Sequence, residues 1–177
     1  QMNKEDIESL RKVSLLNLES LPLPEPISKD VIGIVNAVRR NIGVNKFLFE
    51  GAPGTGKTET TKQITRLLER ELYIVDFETI VDSKLGQTSK NIASLFKEIN
   101  SFSKPNRVVI LFDEIDAIAL NRLDTNDLRE MGRATSAILK GIDSLNNEVV
   151  LIATTNLFDV FDKALIRILY PSPRGCP

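Results

Sequence analysis

The chain has 177 residues, 42% of them hydrophobic, with 23 basic and 24 acidic side chains and a formal net charge of −1. That balance offers no electrostatic footprint for nucleic acid or an anionic membrane, and the absence of histidine excludes catalytic triads and zinc sites that need one. A single cysteine, Cys176, excludes an internal disulfide, and no run approaches the roughly 20 apolar residues of a membrane-spanning helix.

Residues 4–19 are expected to form an amphipathic helix with Ile7, Leu10 and Leu18 among its apolar positions. Leu21-Pro-Leu-Pro-Glu-Pro26 reads as a stiff, extended linker, because its three prolines exclude helix. Ser28 suits the N-cap of a helix over 29–40. The apolar run Lys46-Phe-Leu-Phe-Glu50 is expected to be a strand, and a helix is expected over 57–70. Between them lies Gly51-Ala-Pro-Gly-Thr-Gly-Lys57-Thr58. Strand, Gly-rich loop and helix, in that order, is the setting that the phosphate-binding loop pattern requires. Glycines let successive backbone N–H groups converge on phosphate oxygens, and the helix N-terminus adds partial positive charge. Pro53, Gly54, Thr55, Gly56, Lys57 and Thr58 are therefore the candidate nucleotide-binding residues. Lys57 can reach the β- and γ-phosphates, and the Thr58 hydroxyl can ligate Mg²⁺.

Further strands are expected over 72–77, 107–113 and 148–154, and helices over 89–101 and 127–142. Alternating strands and helices imply a parallel sheet with helices on both faces, joined by right-handed crossovers. Arg107-Val-Val-Ile-Leu-Phe112 is a continuous apolar run, as in a strand buried on both faces, and it ends in Asp113-Glu114-Ile-Asp116. Carboxylates there sit where ligands bind in open α/β sheets. Asp113 would hold Mg²⁺ through its water shell, and Glu114 would act as general base towards water; Asp116 is read as structural. The polar stretch 119–130 is expected to be a mobile loop entering a helix, with Arg129 and Arg133 read as solvated helix charges. Glu148-Val-Val-Leu-Ile-Ala-Thr154 leads to Thr155-Asn156. Asn156 either hydrogen-bonds a γ-phosphate and the attacking water, or is an asparagine of the kind that strand-to-loop turns favour.

With these motifs assembled, the chain resembles an AAA+ ATPase of the subgroup with a second region of homology. Gly51–Thr58 is similar to Walker A, Val108–Ile115 to Walker B, Ala153-Thr-Thr-Asn156 to the sensor-1 segment, and Phe161-Asp-Lys-Ala-Leu-Ile-Arg167 to the stretch leading into the arginine finger. Leu85–Phe96 is similar to the family's segment between the second strand and second helix. The resemblance implies a P-loop NTPase three-layer sandwich, a parallel sheet flanked by helices, with ATP and Mg²⁺ as cofactors. It implies self-association into a ring, a hexamer in most of the family, that remodels a protein client. Arg167 takes the finger position, completing a neighbour's site, and Val31-Ile-Gly33 lies where the family often contacts adenine, which makes Gly33 a candidate.

The expected organisation is a helical arm and linker over 1–27, an ATPase core over 28–168 and an irregular tail over 169–177. Tyr170-Pro-Ser-Pro-Arg-Gly-Cys-Pro177 breaks from the family pattern and is expected not to be a native element, and the helical lid of the family is expected to be missing. Lys84 stands where the pore loop of the family carries an aromatic residue, and Ile168 follows Arg167 where members often have a nearby second arginine. With no secretory signal in the sequence, the cytoplasm is the expected location. The other readings are an AAA+ loader or initiator acting on DNA, a P-loop kinase, and a switch that binds ATP without turnover. A GTPase is disfavoured because no N-K-x-D motif occurs.

Overall fold

A computed structural model of the chain describes residues 10–15, 25–50, 56–81, 86–115 and 128–155. Among these residues the strands β1 (Arg11–Val13), β2 (Lys46–Glu50), β3 (Glu71–Asp76), β4 (Val108–Asp113) and β5 (Val150–Thr155) form one sheet in the spatial order β1-β3-β4-β5-β2. β2, β3, β4 and β5 pair in parallel, and β1 adds an antiparallel edge. The helices are α1 (Glu25–Arg39), α2 (Lys57–Leu67), the short α3 (Phe77–Ile80), α4 (Gln87–Ile99) and α5 (Leu128–Asp143). This is the P-loop type of α/β fold, a mostly parallel sheet flanked by helices.

The central strands explain the layering. Every residue of β4 from Val108 to Phe112 is buried, and successive side chains point to opposite faces of the sheet. Val108, Ile110 and Phe112 pack with Ile92, Leu95, Phe96 and Ile99 of α4 and Ile138 and Ile142 of α5. Val109 and Leu111 pack on the other side with Val31 and Val35 of α1 and Ile64 of α2. The connection after β2 thus runs over one face, and those after β3 and β4 run over the other. The carboxyl end of β2, beside β5, is where the winding changes face, the position at which open α/β sheets bind ligands.

Residues 4–19 were expected to be helical, yet Arg11–Val13 is a strand, paired as Arg11↔Ile74, Lys12↔Tyr73 and Val13↔Leu72. The edge of β3 offers unpaired N–H and C=O groups, and a period of two suits the local sequence. Leu10 meets one core face, while Val13 and Leu15 meet the other. A salt bridge of 3.1 Å between Lys12 and Glu71 fastens the edge. It holds the Glu71 carboxyl below its ordinary pKa and the Lys12 ammonium above its own.

Helix α1 begins at Glu25, so Pro26 lies in its first turn and Ser28 within it instead of capping it. A proline is tolerated there because the N–H it lacks has no intrahelical acceptor. Residues 21–24 of the expected linker lie outside the described residues, as do Lys84, Asp116 and 119–127 of the expected loop; Arg133 is exposed. Elsewhere the expected elements recur, the strand over 46–50 with the same bounds and the others with ends shifted by up to three residues. The helix α3 was not expected, and it ends β3 one residue early.

At the amino end of the sheet, the guanidinium of Arg70 donates to the carbonyl oxygens of Val108 (3.1 Å) and Glu148 (2.9 Å), tying the entries to β4 and β5. Burial lowers its pKa from the ordinary arginine value, opposed by the charge of Glu148.

Helices α4 and α5 cross closely at Gly141, where an added Cβ would overlap the ring of Phe96. That ring is itself buried and packed edge-on against Phe112, with centroids 5.6 Å apart. Gly141→Val is expected to destabilise the fold by about 1–3 kcal/mol, the usual cost of overpacking. Gly132→Ala on the same helix, where a Cβ meets open space, should stabilise by about 0.5–1 kcal/mol. Urea midpoints of the two variants check the opposite signs.

Candidate functional site

Register brings the strand ends together. Glu50 of β2 lies opposite Thr155 of β5, Ala153 lies opposite Phe112 of β4, and Asp113 lies opposite Asp76 of β3. The segments 46–50, 108–115 and 150–155, separate in sequence, therefore finish at one rim of the sheet.

Helix α2 starts at that rim. Its N-cap Gly56 has φ 81°, a left-handed conformation that glycine adopts without a steric penalty and other residues rarely adopt. The Thr60 N–H donates to the Gly56 carbonyl at 2.8 Å, closing the first turn. An α-helix leaves its first N–H groups without intrahelical partners, and the N-cap, being glycine, has no side chain to cap them. Lys57 and Thr58 occupy this first turn, both partly buried. The Lys57 ammonium donates to the carbonyl of Thr155 at 3.1 Å, so α2 and the tip of β5 are joined by a charge-assisted hydrogen bond.

The end of β4 is fixed just as closely. The Thr154 hydroxyl donates to Asp113 Oδ1 at 2.8 Å and accepts from the Glu114 N–H at 3.0 Å. The Ile115 N–H donates to the Thr154 carbonyl, also at 3.0 Å. Glu114 has φ 50°, an uncommon conformation for a residue with a Cβ, and its side chain is exposed beyond the strand end. Positions of this kind gather at functional sites.

The structure thus brings Gly56, Lys57, Thr58, Asp113 and Glu114 to one rim. Pro53, Gly54, Thr55, Asn156 and Arg167 lie outside the described residues. Gly33 is exposed on α1 and borders a groove of about 420 Å³ between that helix and β2, with Ile34, Ala37, Phe47 and Phe49 among its walls. Sequence reasoning singled out neither Thr154 nor Thr155. Their signal was two hydroxyl residues closing an apolar strand, both fully buried in the fold.

Mg²⁺ typically takes one or two protein oxygens, several waters and the phosphates of its substrate. Thr58 and Asp113 are a donor set of that size. Among the described residues no cluster of three or more His, Cys, Asp or Glu could cage an ion. No helix among them is long and apolar enough to cross a membrane.

Residues 47–170 match the family model described as "ATPase family associated with various cellular activities (AAA)". Among similar proteins, an AAA family ATPase of Sinorhizobium fredii is 35% identical over 123 residues, covering 70% of this chain and 36% of that protein. The vesicle-fusing ATPase of Dictyostelium discoideum is 35% identical over 144 residues, covering 74% of this chain and 19% of its own length. A protein of Methanothermobacter thermautotrophicus named as a 26S proteasome regulatory subunit homologue is 33% identical over 120 residues, with 67% and 32% covered. The chain therefore spans well under two thirds of each of these relatives.

Proposed function

The chain belongs to the AAA family of ATPases, and from that premise we propose that it binds and hydrolyses Mg²⁺-ATP as one subunit of a ring that remodels a protein client. One observation carries the reading. The first turn of α2, with Lys57, and the Asp113-Glu114 end of β4 meet at a single rim, each held to the tip of β5. That juxtaposition is what a phosphate-transfer site to water needs, a cradle for phosphates next to a base.

The backbone of Pro53, Gly54, Thr55 and Gly56 would wrap the phosphates, and Lys57 would exchange its carbonyl partner for phosphate oxygens. Thr58 and Asp113 would hold Mg²⁺, which when bound neutralises charge on the phosphates. Glu114 would take a proton from the attacking water, and Asn156 would orient that water. Gly33 borders a groove whose apolar walls suit a base ring. Arg167 would act from the neighbouring subunit on charge spreading over the transferred phosphoryl group, a contribution of about 10³–10⁵ in rate where such a finger has been removed or added in GTPases. Names of the relatives, which include a vesicle-fusing ATPase and a proteasome subunit homologue, favour a protein client over DNA.

The test is ATP turnover against protein concentration, with sedimentation run in parallel. Turnover should rise steeply as assemblies form. Arg167→Ala should silence turnover, and mixing it with an equally silent Glu114→Gln protein should restore activity at interfaces that pair an intact base with an intact finger. Concentration-independent turnover by a monomer would remove Arg167 from the mechanism and bring the kinase reading forward.

A further inference from the structure

Thr154 does more at this rim than fill space. It is fully buried at the penultimate position of β5, and it holds three consecutive residues of the neighbouring strand end. Its hydroxyl donates to the Asp113 carboxylate and accepts from the Glu114 N–H, and its carbonyl accepts from the Ile115 N–H. A hydroxyl has one proton to donate, so the bond to Asp113 fixes its rotor and leaves its lone pairs for Glu114.

We propose that the Thr154 hydroxyl is a positioning group for hydrolysis, setting the carboxylate of Asp113 and the left-handed backbone of Glu114 with one side chain. The inference rests on the ATPase reading above and names the group that aims its two acidic residues. Glu114 has φ 50°, and such a conformation persists only where its surroundings over-determine it. Here those surroundings are the flanking N–H bonds of Glu114 and Ile115, both ending on Thr154. With Oδ1 of Asp113 engaged by the hydroxyl, the carboxylate has one rotamer anchored and its remaining lone pairs directed elsewhere. A carboxylate that holds a cation is commonly oriented by such a neighbour, and loss of that neighbour costs about 10–100-fold in metal affinity or activity.

The competing explanation is that Thr154 serves only as a buried β-branched residue. Two substitutions separate the explanations because they remove different atoms. Thr154→Val keeps the shape and loses the hydroxyl; Thr154→Ser keeps the hydroxyl and loses the methyl group.

If the hydroxyl positions the site, Thr154→Val lowers kcat about 10–100-fold and raises the Mg²⁺ concentration needed for half-maximal turnover. Nucleotide affinity without metal should stay near that of the parent, and Thr154→Ser should recover most of the turnover. Amide hydrogen exchange reads the same bond without turnover. The Glu114 N–H should lose protection in Thr154→Val and keep it in Thr154→Ser. The Ile115 N–H, bonded to backbone, should stay protected in both. Turnover intact in Thr154→Val and impaired in Thr154→Ser overturns the proposal in favour of packing. Lost Glu114 protection with unchanged kcat overturns it too, since the bond would then exist without a role. A parent protein that never hydrolyses ATP overturns the ATPase reading itself, and the inference falls with it.

Discussion

Glu114→Gln should leave a folded protein that binds ATP and does not turn it over. The substitution keeps the size of the side chain and removes only its capacity to accept a proton. General-base assistance contributes about 10²–10⁴ in rate, so kcat should fall by that factor while nucleotide affinity changes little. Glu114 is held at φ 50° by its own N–H on the Thr154 hydroxyl and by the following N–H on the Thr154 carbonyl, neither of which involves its carboxylate. Glutamine can therefore occupy the same conformation, and the melting temperature should stay where it is. Turnover measured beside equilibrium binding of a fluorescent ATP analogue checks both halves. Parent-like hydrolysis by Glu114→Gln would show that the base lies elsewhere.

How far this site could be read from sequence depends on what kind of signal each residue carries. Lys57 and Thr58 stand in a fixed spacing whose chemistry is local, a loop and a helix start, so their neighbours in sequence are their neighbours in space. Val108–Phe112 was equally legible, because an uninterrupted apolar run of strand length is buried on both faces wherever it lies in such a sheet. The same holds for the helices on each side, whose buried residues recur at helical spacing.

Thr154 was not legible for the opposite reason. Its meaning depends on Asp113, 41 residues away, and only the β4–β5 register puts the two side by side. Arg11–Val13 went astray on a related point. Ile7, Leu10 and Leu18 fall at helical spacing, but the free edge of β3 recruits Arg11–Val13 as a strand, with Leu10 at one face of the sheet and Val13 and Leu15 at the other. In the same way Pro26 looked like a breaker by type and proved compatible by position, since the first turn of α1 needs no N–H there. Local chemistry was readable; pairings across the sheet were not.

Lys57→Ala should uncouple nucleotide from the fold. In the structure the Lys57 ammonium donates to the carbonyl of Thr155 at 3.1 Å, a neutral acceptor that phosphate oxygens would outcompete. A hydrogen bond to a charged partner is worth about 1.5–3 kcal/mol, so its loss should weaken ATP binding by roughly 10–150-fold. Thermal unfolding makes this measurable in one experiment. At a ligand concentration of about 100 times Kd, binding stabilises a protein by about 2.7 kcal/mol, which for a domain of this size raises the melting temperature by about 5–11 °C. If the variant binds about 100-fold more weakly, the same concentration yields only about 0.4 kcal/mol, a shift of about 1 °C. Without nucleotide the variant loses the bond to Thr155, which should lower its own melting temperature by a few degrees. A small intrinsic loss with a missing ATP shift identifies Lys57 as a ligand-binding residue; an intact ATP shift would make its role structural and remove Lys57 from the nucleotide site.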